Sequence, residues 1–322
     1  MTLKKLVQLA SDKERFTSLE TYISFCRSYL DYVAGNLQAT IVAQREPHYQ
    51  FFQYKKEGGF QITRPINSQL MLDANSSKAL NAKFLSIIKN LRQREMDTPA
   101  NRLLANRAIY TIQQSIGATL DALPAGLSNT ARKINGDLFE RLIKLVVNRA
   151  GVDCASGVVS VPIKVDGVPE FNMNFQQDLI VKEGELVKMI GSVKTSSKDR
   201  LGKIFVDKFL FHRLTEKNVP HVAIFLNDVQ RKNGKNPREY SINSTFLPGH
   251  FKAFTIKLNP LDGVYYCDIR PNMATEPILK DHIKTFDHFL FADLWEFCSR
   301  EAIPAKVEPK PESSESTPVI KD

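Results

Sequence analysis

From Ser128 onward the chain stops reading as helices alone and begins to alternate, and this change limits its fold more than any other feature. A helical stretch over 129–149 ends at Gly151, and apolar, β-branched runs follow at 157–165, 177–181 and 186–193. A second helix is predicted over 198–215, then the strand HVAIFLND at 221–228. The order α-β-β-β-α-β calls for a mixed sheet with helices packed on it, an α/β (α+β) architecture that neither a helical bundle nor an all-β sandwich provides. FTIKLN and VYYCDIR, between Phe254 and Arg270, predict a further hairpin or strand pair.

Upstream, residues 1–125 form a mainly helical lobe. Leu6, Leu9, Phe16, Leu19, Ile23, Tyr29 and Val33 recur at helical spacing until Gly35. FFQYKKEGGFQIT alternates around Gly58-Gly59 and predicts a hairpin over 51–63. Helices are then expected over 76–95 and 98–123, the second opening on Thr98 as N-cap and Pro99 in the first turn. Pro124 and Gly126 close the lobe, and 126–302 forms the second domain. The segment 303–322, rich in Pro, Ser and Glu, reads as a disordered, solvated tail.

Charge points to the class of partner. The 322 residues carry 44 basic and 35 acidic side chains, a net +9. The excess is +6 over 1–125 and +4 over 126–302, so both folded parts are basic and an acidic polymer is the first partner to consider. Cys26, Cys154, Cys267 and Cys298 lie far apart without zinc-ligand spacing, which makes them buried, reduced thiols rather than a metal site. No apolar run reaches the length of a membrane span and the N-terminus lacks a signal-peptide pattern; the expected location is cytoplasmic.

The stretch QQDLIVKEGELVKMIGSVKTSSKDR, residues 176–200, sets Asp178 on one strand and Ser192-Val193-Lys194 at the end of the next. The strand period of two puts Ser192 and Lys194 on one face, and antiparallel pairing brings Asp178 beside them. Phosphodiester hydrolysis needs carboxylates that hold a divalent cation against the scissile phosphate and a cationic group that steadies the transition state, roles that Asp178 and Lys194 fit. The same two residues also read as a strand-end turn acid and an exposed strand lysine.

Over roughly 135–228 these residues resemble the PD-(D/E)xK nucleases, and within them type II restriction endonucleases with a Ser-x-Lys variant of the motif. The resemblance implies a mixed-sheet nuclease core behind the helical lobe, Mg²⁺ as cofactor, double-stranded DNA as substrate and a homodimer that cuts both strands. Gln177 stands where that family often has Pro, and Ser192 where it usually has an acid, so a metal ligand must come from elsewhere. Glu140, on the helix bearing Phe139, Leu142, Ile143 and Val146, is the favoured replacement; Asp207, thirteen residues beyond Lys194, is the other. Either acid also reads as an ordinary helix carboxylate.

DNA contacts are expected from Thr195 and Ser196, from Lys198, Arg200 and Lys203 at the start of the second helix, and from Arg231, Lys232, Lys235 and Arg238 in the loop QRKNGKNPRE. Lys208 is read either with this group or as a solvated lysine. The resemblance implies a Mg²⁺-dependent, site-specific double-strand endonuclease. A structure-selective repair or junction nuclease of the same fold, and a nucleic-acid-binding protein whose Ser192 marks a decayed site, are the alternatives.

Parity adds a geometric condition. For Asp178 to face Ser192 the turn must centre on Glu185, which demands an odd loop or a β-bulge between Asp178 and Lys194. A regular two-residue turn at Glu183-Gly184 would pair Asp178 with Met189 and turn its carboxylate to the opposite face.

Overall fold

The computed structural model describes residues 1–56, 59–78, 80–197, 200–232, 239–300, 303–304 and 306–309. Helix α1 (Leu3–Ser11) and helix α2 (Leu19–Asn36) begin at Thr2 and Ser18, whose hydroxyls accept hydrogen bonds from Lys5 N and Thr21 N. A small antiparallel sheet follows: β1 (Leu37–Val42), β2 (Tyr49–Lys56), β3 (Gly59–Ile62) and β4 (Ile66–Asn67), with β2 pairing the other three. The β2–β3 pairing forms the hairpin expected over 51–63. Helices α3 (Ala74–Lys78), α4 (Leu80–Lys89) and α5 (Pro99–Leu120) complete the first third of the chain, and Thr98 caps α5 as its sequence suggests.

Helix α6 (Ser128–Arg149) leads into the main sheet, β5 (Cys154–Val165), β6 (Val168–Glu183) and β7 (Leu186–Ser196), then helix α7 (Leu201–Thr215) and β8 (His221–Asn227). The strands β5, β6 and β7 run antiparallel, whereas β8 lies parallel to β7 after the α7 crossover, a mixed α/β sheet in the anticipated order. A short hairpin of β9 (Val229–Arg231) and β10 (Ile242–Ser244) comes next, then α8 (Pro248–Lys257), β11 (Gly263–Tyr266) parallel to β8, and β12 (Ile283–Thr285) parallel to β11. The helical segment 286–299 contains a π turn at Phe289–Asp293. Among the described residues, no helix is long and apolar enough to cross a membrane.

The helix expected over 76–95 stops at Lys89, and two further sequence expectations fail. FTIKLN is not a strand: Pro248 starts a helix that absorbs Phe254 to Lys257, so β11 takes its partners from β8 and β12 instead of from a hairpin. The tail is not solvated from its first residue: β13 (Ile303–Pro304) pairs with β7 and β14 (Lys306–Pro309) pairs with β5, where the close approach of Glu308 leaves room only for glycine at Gly157. Residues 310–322 lie outside the described residues.

The boundary at 125 falls at a turn, but the packing does not stop there. One apolar core joins Leu6, Tyr22 and Ile109 of the first helices to Phe139 and Val146 of α6, Leu179 and Val193 of the sheet, and Phe286 to Phe297 near the end. A buried polar joint ties the small sheet to the large one. Asp268, just past β11, accepts hydrogen bonds from Asn67 Nδ2 at 2.7 Å and from the Tyr49 hydroxyl at 3.0 Å. Burial pushes its carboxyl up to about 7 despite those two donors.

The β5–β6 hairpin is long. Its strands are joined by Asp166-Gly167, both with positive φ (52° and 82°), the arrangement of a type I′ turn. Val159 faces Phe175, Val161 faces Met173 and Ile163 faces Phe171, and a register shift then leaves Glu170 unpaired so that Val165 meets Val168. At its base this ribbon packs on Phe211 of α7.

Candidate active site

The β6–β7 hairpin turns through Gly184-Glu185, with Glu183 paired to Leu186 and only Gly184 at positive φ (60°), as in a type II′ turn. A plain two-residue turn would carry Asp178 to Gly191, on the wrong face. It does not, because Lys188 is an extra residue: the pairs Lys182–Val187 and Val181–Met189 leave it unmatched, and the register beyond is displaced by one. Leu179 then lies opposite Gly191, and one step further Asp178 lies opposite Ser192. Of the two devices that parity allowed, an odd loop or a bulge, the bulge is the one present, beside a two-residue turn. A second irregularity, on the β5 side between Ala155 and Gly157, flanks Asp178 as well.

The result is a compact charged cluster. The Lys194 ammonium donates to Asp178 Oδ2 at 2.5 Å and to Glu140 Oε1 at 2.9 Å, and the Val193 amide donates to the same Asp178 oxygen at 3.0 Å. Glu140 comes from α6, whose apolar stripe Phe139, Leu142, Ile143 and Val146 is buried in the core and so fixes the rotation of the helix. Burial alone lowers the pKa of the Lys194 ammonium. The charges of Asp178 and Glu140 and their hydrogen bonds outweigh that effect and hold it above the ordinary lysine value, so Lys194 is charged at neutral pH.

The other expected site residues are more scattered. Ser192 sits on β7 between Gly191 and Val193, paired with Ala223. Asp207 bonds to Lys203 one turn earlier on α7 and is not joined to the Glu140–Asp178–Lys194 cluster by a hydrogen bond. Thr195 and Ser196 end β7, and the Ser196 and Ser197 hydroxyls each lie 3.2 Å from Thr245 Oγ1. Arg200 immediately precedes α7 and is exposed, as is Lys203. Lys198, Lys235 and Arg238 lie outside the described residues. Arg231 stacks on Tyr240 with its guanidinium 4.4 Å from the ring centre, while Lys232 is exposed. Lys208 is a correction: it is buried and bonded to Asp262 at 2.8 Å and to the Pro260 carbonyl, so it is neither a phosphate contact nor a solvated lysine.

Sequence reading did not single out Thr245 or Asp228, which stand beside the carboxyl ends of β7 and β8. Asp228 is buried and accepts from Ser244 Oγ at 2.6 Å, and burial raises its pKa. Thr245 is 48 residues from Ser197 and belongs to no local motif, so nothing in the sequence signals their contact.

Neither a protein-family profile nor a curated protein matches this sequence. Among solved structures, the crystal structure of the type IIP restriction endonuclease Kpn2I superposes on 92% of this chain and 97% of its own, with a TM-score of 0.64 and 16% identity. The fold is similar to that of a restriction endonuclease. The restriction endonuclease PspGI in its complex with substrate DNA is a looser match, with a TM-score of 0.41 and 12% identity over 68% of this chain and 90% of that one. The restriction-endonuclease-like fold takes in the helical first third as well as the sheet, since the Kpn2I superposition spans nearly the whole of both chains.

Which residues suit a metal follows from donor chemistry. Glu140 and Asp178 supply hard carboxylate oxygens that already converge on one cation, the Lys194 ammonium. No group of three ligand-type side chains assembles among the described residues. Two carboxylates with the remaining positions left to water and phosphate oxygen suit Mg²⁺, which keeps several waters and uses few protein ligands.

Proposed function

We propose that this protein is a Mg²⁺-dependent type II restriction endonuclease that hydrolyses phosphodiester bonds of double-stranded DNA at a specific sequence. The observation that carries the reading is the meeting of Lys194 with Glu140 and Asp178, achieved by a bulge at Lys188, within a fold similar to a restriction endonuclease. The net charge of +9 suits a polyanionic substrate.

Glu140 and Asp178 would hold the metal ion, which when bound screens phosphate charge and lowers the pKa of an attached water. The Val193 amide fixes the Asp178 carboxylate, so the ligand is preorganised before metal or DNA arrives. Lys194 keeps its proton and presents it to the phosphoryl oxygens, where negative charge grows in the pentavalent transition state. Ser192 contributes no carboxylate, so Glu140 on α6 takes over the missing acid's part; Asp207 remains the alternative ligand. Thr195, Ser196, Lys198, Arg200 and Lys203 hold the phosphate backbone next to the cut, and Arg231, Lys232, Lys235 and Arg238, from the basic sequence QRKNGKNPRE, add a second contact. Two-strand cleavage calls for two copies of the site, hence a homodimer.

Purified protein incubated with plasmid DNA tests this directly. Discrete fragments with Mg²⁺ and none with EDTA are expected, and no cleavage of any plasmid or genomic DNA would overturn the reading. Lys194→Ala and Asp178→Ala should each abolish cutting while DNA binding in Ca²⁺ persists. Glu140→Gln should be inactive and Ser192→Ala substantially active; an active Glu140→Gln beside an inactive Asp207→Asn would move the ligand to α7.

A further inference from the structure

The β5–β6 ribbon has one apolar face that outlasts the core. Its inner cross-strand pairs, from Val159–Phe175 to Val161–Met173, cover α7 through Phe211. The same face continues past Ile163, because the unpaired Glu170 restores the alternation that the tight turn would otherwise break. At the tip it presents Val165, Val168 and Phe171, exposed by 53%, 61% and 61%. Three large apolar side chains adjoining on one face of a hairpin are not the scattered exposure that any surface shows, and such a patch marks a contact surface.

Charge selects the partner. The tip, residues 162–172, contains Asp166 and Glu170 against Lys164, a net −1, whereas the rest of the chain carries +10. A DNA-contacting ribbon would carry cations in those places. An acidic, apolar tip is instead complementary to a basic protein surface, and the rest of this same chain is one. We propose that the tip of the β5–β6 ribbon docks on the body of a second copy of this chain, so that two protomers exchange arms about a two-fold axis. Closed two-fold association makes each contact occur twice, which doubles what one small patch contributes. The choice of partner rests on the endonuclease reading, which calls for two copies.

Sedimentation velocity on the full chain tests the surface. The wild type should sediment near twice its 36.5 kDa mass at micromolar concentration. Phe171→Glu with Val168→Glu should weaken dimerisation about 100-fold, as expected for loss of a central apolar anchor. Charge reversal at Asp166 and Glu170 to Lys should weaken it about 10-fold. The exposed positions keep folding separate from association, and an unchanged melting temperature at concentrations where the variants are monomeric confirms that. A monomeric wild type at tens of micromolar, or a dimer whose constant is unmoved by both variants, overturns the proposal. Loss of DNA affinity at unchanged mass overturns it too, assigning the tip to DNA. Because mass reads the surface and plasmid cleavage reads the chemistry, a dimer that cuts nothing would refute the endonuclease reading while leaving the arm in place.

Discussion

The two long hairpins of the main sheet share one device and use it differently. Each turns through two residues, Asp166-Gly167 or Gly184-Glu185, and each carries one extra residue on its second strand, Glu170 or Lys188. In the β5–β6 ribbon the bulge keeps an apolar face continuous out to the tip. In β6–β7 it brings a carboxylate to the face that holds Ser192 and Lys194. The comparison teaches that turn length and bulge must be read together: either alone gives the wrong face, and the pair restores it.

The largest expected effect comes from inserting one alanine between Asp178 and Leu179. Leu179 and the bulge at Lys188 keep their pairs, so Asp178 moves one step beyond Ser192 and turns to the opposite face, and cleavage should fall at least about 10³-fold, the scale of losing a preorganised electrostatic contact. Cleavage assays with the insertion variant check this, and near-wild-type cutting would break the comparison.

Replacing Lys194 by Met leaves two carboxylates facing each other and should cost about 2 kcal/mol of stability, measured by urea unfolding at pH 7. The pH dependence carries a definite sign. Lys194 has a raised pKa in the folded state, so its stabilisation is complete below the ordinary lysine value of about 10.4 and fades as pH rises through the higher folded value. The gap between wild type and Lys194→Met should therefore be constant from pH 7 to 9 and close above about 10.4. A gap that widened there would contradict the charge assignment.

Deleting Phe171 makes the corresponding shift in the other hairpin. Its base is pinned by Val159 and Phe175 and its turn by Val165 and Val168, so Glu170 takes the place opposite Ile163 and puts a carboxylate on the apolar face. Dimerisation should weaken about 10-fold, roughly 1.4 kcal/mol, with no loss of cutting at protein concentrations that keep the dimer intact. The smallest effects are expected at the turns. Gly184 and Gly167 have positive φ and open space where a Cβ would sit, so alanine there meets backbone strain alone, about 1 kcal/mol, with Gly184 the more sensitive as the first residue of a type II′ turn. Thermal melts of Gly184→Ala and Gly167→Ala check both.

The buried parts of the sheet are legible in the sequence as apolar runs bounded by turn formers, whereas the exposed half of β6 before Gln177 is not, and parity between Asp178 and Ser192 forces an odd loop or a bulge without saying which. That Glu140 meets Lys194 follows from the apolar stripe of α6. What stays hidden lies in long-range contacts. FTIKLN alternates like a strand, and only Pro248 and the packing of Phe251 and Phe254 against Phe205 make it helical. Lys208 looks like a surface lysine until Asp262, 54 residues away, meets it in the interior. Tyr49, Asn67 and Asp268 form one buried joint from three distant segments, and no local pattern announces it.

The apolar core that runs from Leu6 to Phe297 has a consequence for synthesis. Helices made earlier, including α5, wait for partners such as Phe289 and Leu290 that leave the ribosome much later. Contacts this distant in sequence slow folding, because loop closure must come before burial rewards it. A nascent chain interrupted before residue 286 therefore exposes apolar surface to chaperones and proteases instead of folding to a stable fragment. Acquisition of structure is thus deferred until the segment 286–297 has emerged.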